Sequence, residues 1–367
     1  MGSYFPISKK IHHRFDLSLR HRWTIANDLG EGGGKTVYPV VFIELSDPLG
    51  RSGLGEASPS SQYAESHETV NRFLHRLEPG HLSFDDIPGS MEYLESVGPG
   101  NFPAKCAVNL ALLDGASKAE GQPLHTFLGL DFPNPGPITS FSIGIDQPEL
   151  MAAKAREAES MPILKIKLGG PNDRLNFQAV RDAAPSKIIR VDANAAWTKR
   201  EQALENIQWL AADGRVEFVE QPMPANASEA DIRWLKERSP LPIFADESYQ
   251  NASDITRVAM GFHGVNVKLV KTGGVTAAKK ALEIARGHGL KTMIGCMIES
   301  SLLISAAAHL ASLADHLDLD GNLLIDNDPY RGVECRLGRL GFEGSPCRMG
   351  IQAKAENRTE PASREDT

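Results

Sequence analysis

Two different spacings of apolar and polar positions divide the chain. Up to about residue 60, KIHHRFDLSLRHRWTI and TVYPVVFIELSD are rich in β-branched and aromatic residues, with a Gly-rich link between them, and predict strands. From 64 to 128 apolar residues recur at helical spacing. AESHETVNRFLHRLEPG stops at Pro-Gly, and the Ala- and Leu-rich FPAKCAVNLALLDGASKAEG stops at Gly121. This part reads as a hairpin-plus-helices α+β unit, and the turn NPGP at 134–137 is a natural boundary. Beyond it short apolar runs alternate with amphipathic helices: ITSFSIGI (138–145), ILKIKLG (163–169), KIIRVDAN (187–194), VEFVEQP (216–222), IFADES (243–248), GVNVKLV (264–270), KTMIGCM (291–297) and HLDLDG (316–321). Their starts are about 21 to 29 residues apart, the length of one strand plus one covering helix. Eight such units imply a parallel sheet covered by helices, and eight strands close a barrel. A doubly wound open sheet would put a Gly-rich fingerprint after the first strand, and SIGIDQPEL has none.

The 367 residues suffice for a barrel with an appended domain. The net charge of −8 argues against a nucleic-acid or anionic-membrane surface, and 41% hydrophobic residues allow a large core. No apolar run approaches the ~20 residues of a membrane span. The opening MGSYFPISKKIHHRF predicts no signal peptide, and Pro6 stands where a myristoylation motif needs Ser or Thr. Cys106, Cys296, Cys335 and Cys347 form no CxxC pair, which predicts neither a zinc site nor a disulfide framework and suits a cytoplasmic protein. The polar end AKAENRTEPASREDT predicts partial disorder.

Charges change the picture most. The interior of a buried parallel strand should be Val, Ile or Leu. Here strand after strand ends in charge: Lys165 and Lys167 on the second, Asp192 on the third, Glu220 on the fourth, Asp246 and Glu247 on the fifth, Lys268 on the sixth, Asp318 and Asp320 on the eighth. The C-terminal mouth of a barrel is where such folds carry their chemistry. Asp192, Glu220 and Asp246 end three adjacent strands and converge there. Three carboxylates without Cys or His make a hard oxygen site that suits Mg²⁺ rather than Zn²⁺, with positions left for a substrate carboxylate. Lys167 and Lys268 come from opposite sides of the mouth. A lysine is too basic to take a proton at neutral pH unless a neighbouring cation and desolvation lower it, and Lys165 supplies such a cation. One base on each face of a bound carboxylate suits removal of its α-proton, with Mg²⁺ stabilising the enediolate; two opposed bases allow racemisation or epimerisation.

KIKLGG, VDANAAW, VEQP, ADES and VNVKLVKTGG, in this order, resemble the enolase superfamily, in the subgroup of muconate lactonizing enzymes and dipeptide epimerases. GLGEASPSSQYAES resembles the end of that family's capping hairpin, and AVNLALLDGASKAEGQPLHTFLG the helix leading into its barrel. The resemblance covers nearly the whole chain. It implies an α/β fold, a (β/α)7β modified TIM barrel at 134–345 under an N-terminal α+β capping domain at 1–133, with a tail at 346–367. It implies Mg²⁺ on Asp192, Glu220 and Asp246, Lys167 and Lys268 as the acid/base pair, and Lys165 beside them polarising the substrate carboxylate. The Asp-x-Asp pair Asp318 and Asp320 matches the dipeptide epimerases, where two carboxylates hold the substrate's α-ammonium. The physical logic stands alone as well: an acidic pair opposite a cation-bound carboxylate selects a zwitterion such as a dipeptide. GCMIESSL resembles the epimerase pattern at the seventh strand and puts Cys296, Met297 and Glu299 at the pocket lining. In the cap loop Thr24 and Asn27 are the expected substrate contacts. Several Ala-Glu epimerases carry an arginine in that loop; here Asn27 and Asp28 occupy the region and Arg20 and Arg22 lie earlier, which leaves side-chain preference open.

The expected reaction is inversion of the C-terminal residue of a dipeptide. A muconate-type cycloisomerase or o-succinylbenzoate synthase reaction uses the same metal and lysines and stays open. GEGGGKT (30–36) suggests a phosphate loop, but Leu29 replaces its first glycine and a strand-like TVYPVVFIEL follows instead of a helix. A flexible cap loop is the better reading there, and KTGGV (271–275) reads as a strand-to-helix turn. His12, His13 and His21 lie in the first hairpin, away from any carboxylate cluster. Barrels of this size often form homo-oligomers, but no segment marks an interface.

Overall fold

The computed structural model describes residues 5–29, 33–250 and 252–356. Three antiparallel strands open it: β1 (Lys9–Trp23), β2 (Lys35–Ser46) and β3 (Ser52–Ala57), in the order β1-β2-β3. β1 is fully buried only where Leu17 and Leu19 alternate inward, with Phe15 and Trp23 packing partly buried against the same core. Helix α1 (His67–His75) starts at Ser66, whose hydroxyl accepts Thr69 N–H, and α2 (Ile87–Val97) starts at Asp86, which accepts Gly89 N–H. Helix α3 (Phe102–Ala119) is buried from Pro103 to Ser117. It lies so close to β3 that a Cβ on Gly53 or Gly55 would fall 1.9 Å from a carbonyl oxygen of Ala111 or Ala107. A short turn of helix, α4 (Leu124–Phe127), leads to the barrel.

The eight apolar runs form eight parallel strands: β4 (Phe141–Ile143), β5 (Ile163–Lys167), β6 (Ile188–Asp192), β7 (Val216–Glu220), β8 (Ile243–Ala245), β9 (Gly264–Lys268), β10 (Lys291–Gly295) and β11 (His316–Asp318). They pair in sequence order, and Ser140 N–H donates to Leu317 O at 3.2 Å where the first strand meets the last. Helices follow seven of the strands: α5 (Pro148–Glu157), α6 (Asp173–Ala183), α7 (Arg200–Ala211), α8 (Glu229–Arg238), α9 (Ile255–Gly261), the pair α10 (Leu269–Thr272) and α11 (Val275–Gly287), and α12 (Ser301–Ala308). β11 is followed by a 3₁₀ turn at Gly321–Leu323, so the barrel is (β/α)7β. Inside it, Phe218, Phe244 and Met293 pack as a floor, with the two rings stacked at 4.3 Å.

The segment after the barrel does not trail away at once. Ile351 is buried, Gly350 O accepts Leu124 N–H, and Lys354–Ala355 pairs with Tyr330–Arg331. The rest of the expected disordered tail lies outside the described residues. No described helix is long and apolar enough to cross a membrane.

Candidate active site at the barrel mouth

Strand register puts the charged ends side by side. Lys167 pairs with Asp192, Asp192 with Glu220, and Gly295 with both Lys268 and Asp318. Inward positions alternate along each strand. The layer two residues above the Phe218 and Phe244 floor is therefore Glu220 and Asp246.

Asp192, Glu220 and Asp246 are all buried, and each offers an oxygen within 4.8 Å of the others. One oxygen of each is tied back. Asn194 N–H donates to Asp192 Oδ1 at 2.9 Å, Asn266 Nδ2 to Glu220 Oε1 at 2.7 Å, and Lys271 Nζ to Asp246 Oδ1 at 2.6 Å. Burial, and then the charge of Asp192, push Glu220 up to about 7. Burial pushes Asp192 and Asp246 upward too, but the Lys167 and Lys165 ammoniums hold Asp192 below its ordinary value, and Lys268 and Lys271 hold Asp246 far below. Glu220 Oε2 is buried and accepts no hydrogen bond of good geometry, although the Lys165 ammonium lies 2.7 Å away. A cluster of three acids, one driven toward its neutral form, with oxygen donors alone, fits a hard divalent cation.

Lys165 sits between the acidic groups, 2.7 Å from Glu220 Oε2, 2.7 Å from Asp318 Oδ2 and 3.2 Å from Asp192 Oδ2. Burial lowers its pKa, but Asp318, Glu220 and Asp192 together raise it well above the ordinary range. Lys167 donates to Asp192 Oδ2 at 2.6 Å, and its ammonium is 5.9 Å from the Trp23 ring centre. Lys268 donates to Asp246 Oδ2 at 2.9 Å. These two lysines end β5 and β9, four strands apart in a ring of eight, and so face each other across the mouth. Lys268 feels opposing influences. Burial and the Lys165 charge both depress it, but the touching Asp246 carboxylate outweighs them and the net shift is upward.

Asp318 and Asp320 close a third side. Asp318 accepts from Ser140 Oγ at 2.7 Å and from Lys165 at 2.7 Å; Asp320 accepts from Ser142 N–H at 2.5 Å. Burial raises both, but Lys165 overrides it at Asp318 and holds that group low. Asp320, beside the ionised Asp318, is pushed up to about 7.

Residues 150–331 match the family model described as Enolase C-terminal domain-like. An L-Ala-D/L-amino acid epimerase of Pedosphaera parvula is 51% identical over 341 residues, spanning 93% of this chain and 98% of the relative. The chain belongs to the enolase superfamily. An L-Ala-D/L-Glu epimerase of Bacteroides thetaiotaomicron is 38% identical over 90% of this chain and 85% of its own. Among solved structures, the dipeptide epimerase of Cytophaga hutchinsonii complexed with Mg and D-Ala-L-Val superposes with a TM-score of 0.86 at 28% identity, covering 96% of both chains.

As an enolase-superfamily cap, the N-terminal unit reaches the mouth at two places. Ile145 N–H donates to Thr24 O at 2.8 Å, anchoring the loop after β1 on the end of β4. Asn27 lies exposed in a 3₁₀ turn at Ala26–Asp28, where Asp28 accepts Ile25 N–H. The turn rides on the loop after β5 so closely that a Cβ at Gly169, whose φ is +115°, would meet Ala26 Cβ at 2.7 Å. Arg20 and Arg22 are turned onto backbone oxygens of Ile325 and Gly34. The first part of the suspected phosphate loop, residues 30–32, lies outside the described residues; its Lys35 begins β2, so no helix follows to cradle a phosphate.

The second approach is from 56–63. Ser58 Oγ donates to Ile298 O at 2.8 Å, and Gln62 Nε2 to Glu247 Oε1 at 2.9 Å. Asn194 Nδ2 meets the same Glu247 oxygen at 3.2 Å. Met297 is part-buried with its sulfur 3.9 Å from Lys268 Nζ, whereas Glu299 is buried and accepts Met297 N–H at 2.9 Å, shaping the loop that carries both. Lys271, Gln62 and Asn194 escaped the sequence reading. Only Lys271 left a trace, three residues after Lys268 on one helical face, in a stretch read as a turn.

Proposed function

We propose that this chain is a Mg²⁺-dependent dipeptide epimerase, inverting the α-carbon of the C-terminal residue of an L,L- or L,D-dipeptide by two-base 1,1-proton transfer. The observation that carries this reading is Lys167 and Lys268 on opposite walls of the mouth, flanking the three carboxylates, with Asp318 and Asp320 on a third side. Asp192, Glu220 and Asp246 would hold the cation, which when bound supplies positive charge to the substrate carboxylate and so acidifies its α C–H. Lys165 adds a second positive charge to the same carboxylate. One of Lys167 and Lys268 removes the α-proton from one face; the other delivers a proton to the opposite face. Asp318 and Asp320 receive the peptide's α-ammonium and set its distance from the reacting centre. The names of the relatives above support both the reaction class and an N-terminal alanine in the substrate. Four free cysteines support a reducing, cytoplasmic setting.

Incubation of an L-Ala-L-Xaa panel with enzyme and Mg²⁺, followed by chiral chromatography, tests the reading. Conversion to the L,D-epimers that stops with a chelator is expected. In Asp318→Ala the KM for the dipeptide should rise by about tenfold or more, the worth of a charged hydrogen bond. A panel that stays L,L throughout overturns the epimerase assignment, and an unchanged KM in the variant removes the ammonium site.

A further inference from the structure

Lys271 is buried as deeply as the site lysines. Its ammonium has three protons to donate. Four acceptors share them: Asp246 Oδ1 at 2.6 Å, Asp246 O at 2.7 Å, Tyr249 O at 3.0 Å and, more distantly, Asn266 O at 3.5 Å. Nothing is left over for a substrate or for proton transfer. Lys268, by contrast, has one hydrogen bond, to Asp246 Oδ2, and a sulfur contact. The K-x-x-K spacing places the two lysines one turn apart at the start of α10, so that they grip opposite oxygens of one carboxylate.

Asp246 is therefore held at every polar atom. Its N–H donates to Gln221 Oε1 at 2.9 Å, its carbonyl and Oδ1 are on Lys271, and Oδ2 alone is left to the site lysine Lys268. Asp192 and Glu220 are collared in the same way by Asn194 N–H and Asn266 Nδ2, but by neutral donors. We infer that Lys271 is a positioning residue that fixes Asp246 as a one-oxygen ligand and thereby biases the site toward Mg²⁺ over larger cations. The physical reason is ligand count. Mg²⁺ takes few, single-oxygen carboxylate ligands, whereas Ca²⁺ takes six to eight oxygens and readily accepts both oxygens of one carboxylate. A site whose carboxylates each have one oxygen tied back denies Ca²⁺ its extra contacts. Freeing Asp246 Oδ1 restores one.

This inference rests on the reading of Asp192, Glu220 and Asp246 as the metal ligands. Calorimetric titration of the full chain with MgCl₂ and, separately, CaCl₂ tests it in wild type and in Lys271→Met. The ratio of the two dissociation constants should move toward Ca²⁺ by about tenfold or more in the variant, the usual reach of a residue that orients a metal ligand. A role in stability alone would lower Tm and weaken both cations alike, leaving the ratio unchanged; that result overturns the inference. A second measurement does not depend on the variant folding. Crystals of the wild-type protein with Ca²⁺ should show Asp246 bound through Oδ2 alone, with Lys271 still on Oδ1, and an Asp246 bound through both oxygens overturns the proposal. If wild type binds neither cation, the metal site itself falls, an outcome distinct from binding with an unchanged ratio.

Discussion

Burial acts in the same direction on all acids at the barrel mouth, so the lysine partners decide which stay ionised. Asp246 has two ammoniums in contact and Asp192 has Lys167 at 2.6 Å and Lys165 at 3.2 Å, whereas Glu220 has Lys165 alone. Glu220 and Asp320 consequently rise to about 7, and their neighbours fall. The lysines differ just as sharply: Lys271 is spent on four acceptors, Lys165 is locked between carboxylates, and Lys167 and Lys268 keep donors free. Lys268→Ala should lower kcat by about 10²–10⁴, the worth of a positioned acid or base, with KM nearly unchanged because Asp318, Asp320 and Lys165 still bind the substrate. Steady-state kinetics in both directions check this, and epimerisation at near wild-type kcat would exclude a two-base scheme. At this scale the sequence was readable wherever a charge ended an apolar strand, since such a charge has no packing reason to be there. Lys271 was barely readable: it stands one turn after Lys268, but that spacing alone does not distinguish a lysine buried on the distant Asp246 carbonyl from one exposed in a turn. Gln62 and Asn194 meet only through Glu247, across more than 130 residues of chain, and no periodicity announces that contact.

Between elements, the seam of cap and barrel is built around a buried acid. Glu56, on β3, accepts Ser300 N–H at 2.9 Å, Ser300 Oγ at 2.5 Å and Leu303 N–H at 3.2 Å, capping the first turn of α12 from another domain. Burial pushes it up to about 7 despite these donors. The sign follows from proton binding. Between the ordinary glutamate range and about pH 7 the unfolded chain has lost this proton while the folded chain keeps it, so rising pH costs stability in that window and no more above it. Glu56→Gln carries no such proton. The Tm advantage of wild type over Glu56→Gln should therefore shrink as pH rises from 5 to 8, and a gap that widens would contradict the assigned shift. The eight strands and the buried α3 were legible because each carries its own spacing of apolar residues. The seam was not, because GLGEAS reads as the end of a hairpin and its acid shows its purpose only against α12.

Across the whole molecule, the cap closes on the mouth at Thr24 and Ser58, on two sides of a site whose chemistry all comes from the barrel. The mildly acidic charge of the chain has a local meaning in this arrangement. Five of its acids, Asp192, Glu220, Asp246, Asp318 and Asp320, are buried together among three site lysines rather than spread over the surface. In the proposed reaction each group serves one event, exchange of the α-proton of a C-terminal residue. The most direct measurement is therefore proton NMR of L-Ala-L-Xaa dipeptides with the enzyme and Mg²⁺ in D₂O. Loss of the C-terminal α-proton signal, with the N-terminal α-proton retained and no loss in the presence of a chelator, is the predicted result. Full retention of the C-terminal α-proton across the panel at saturating Mg²⁺ would contradict it.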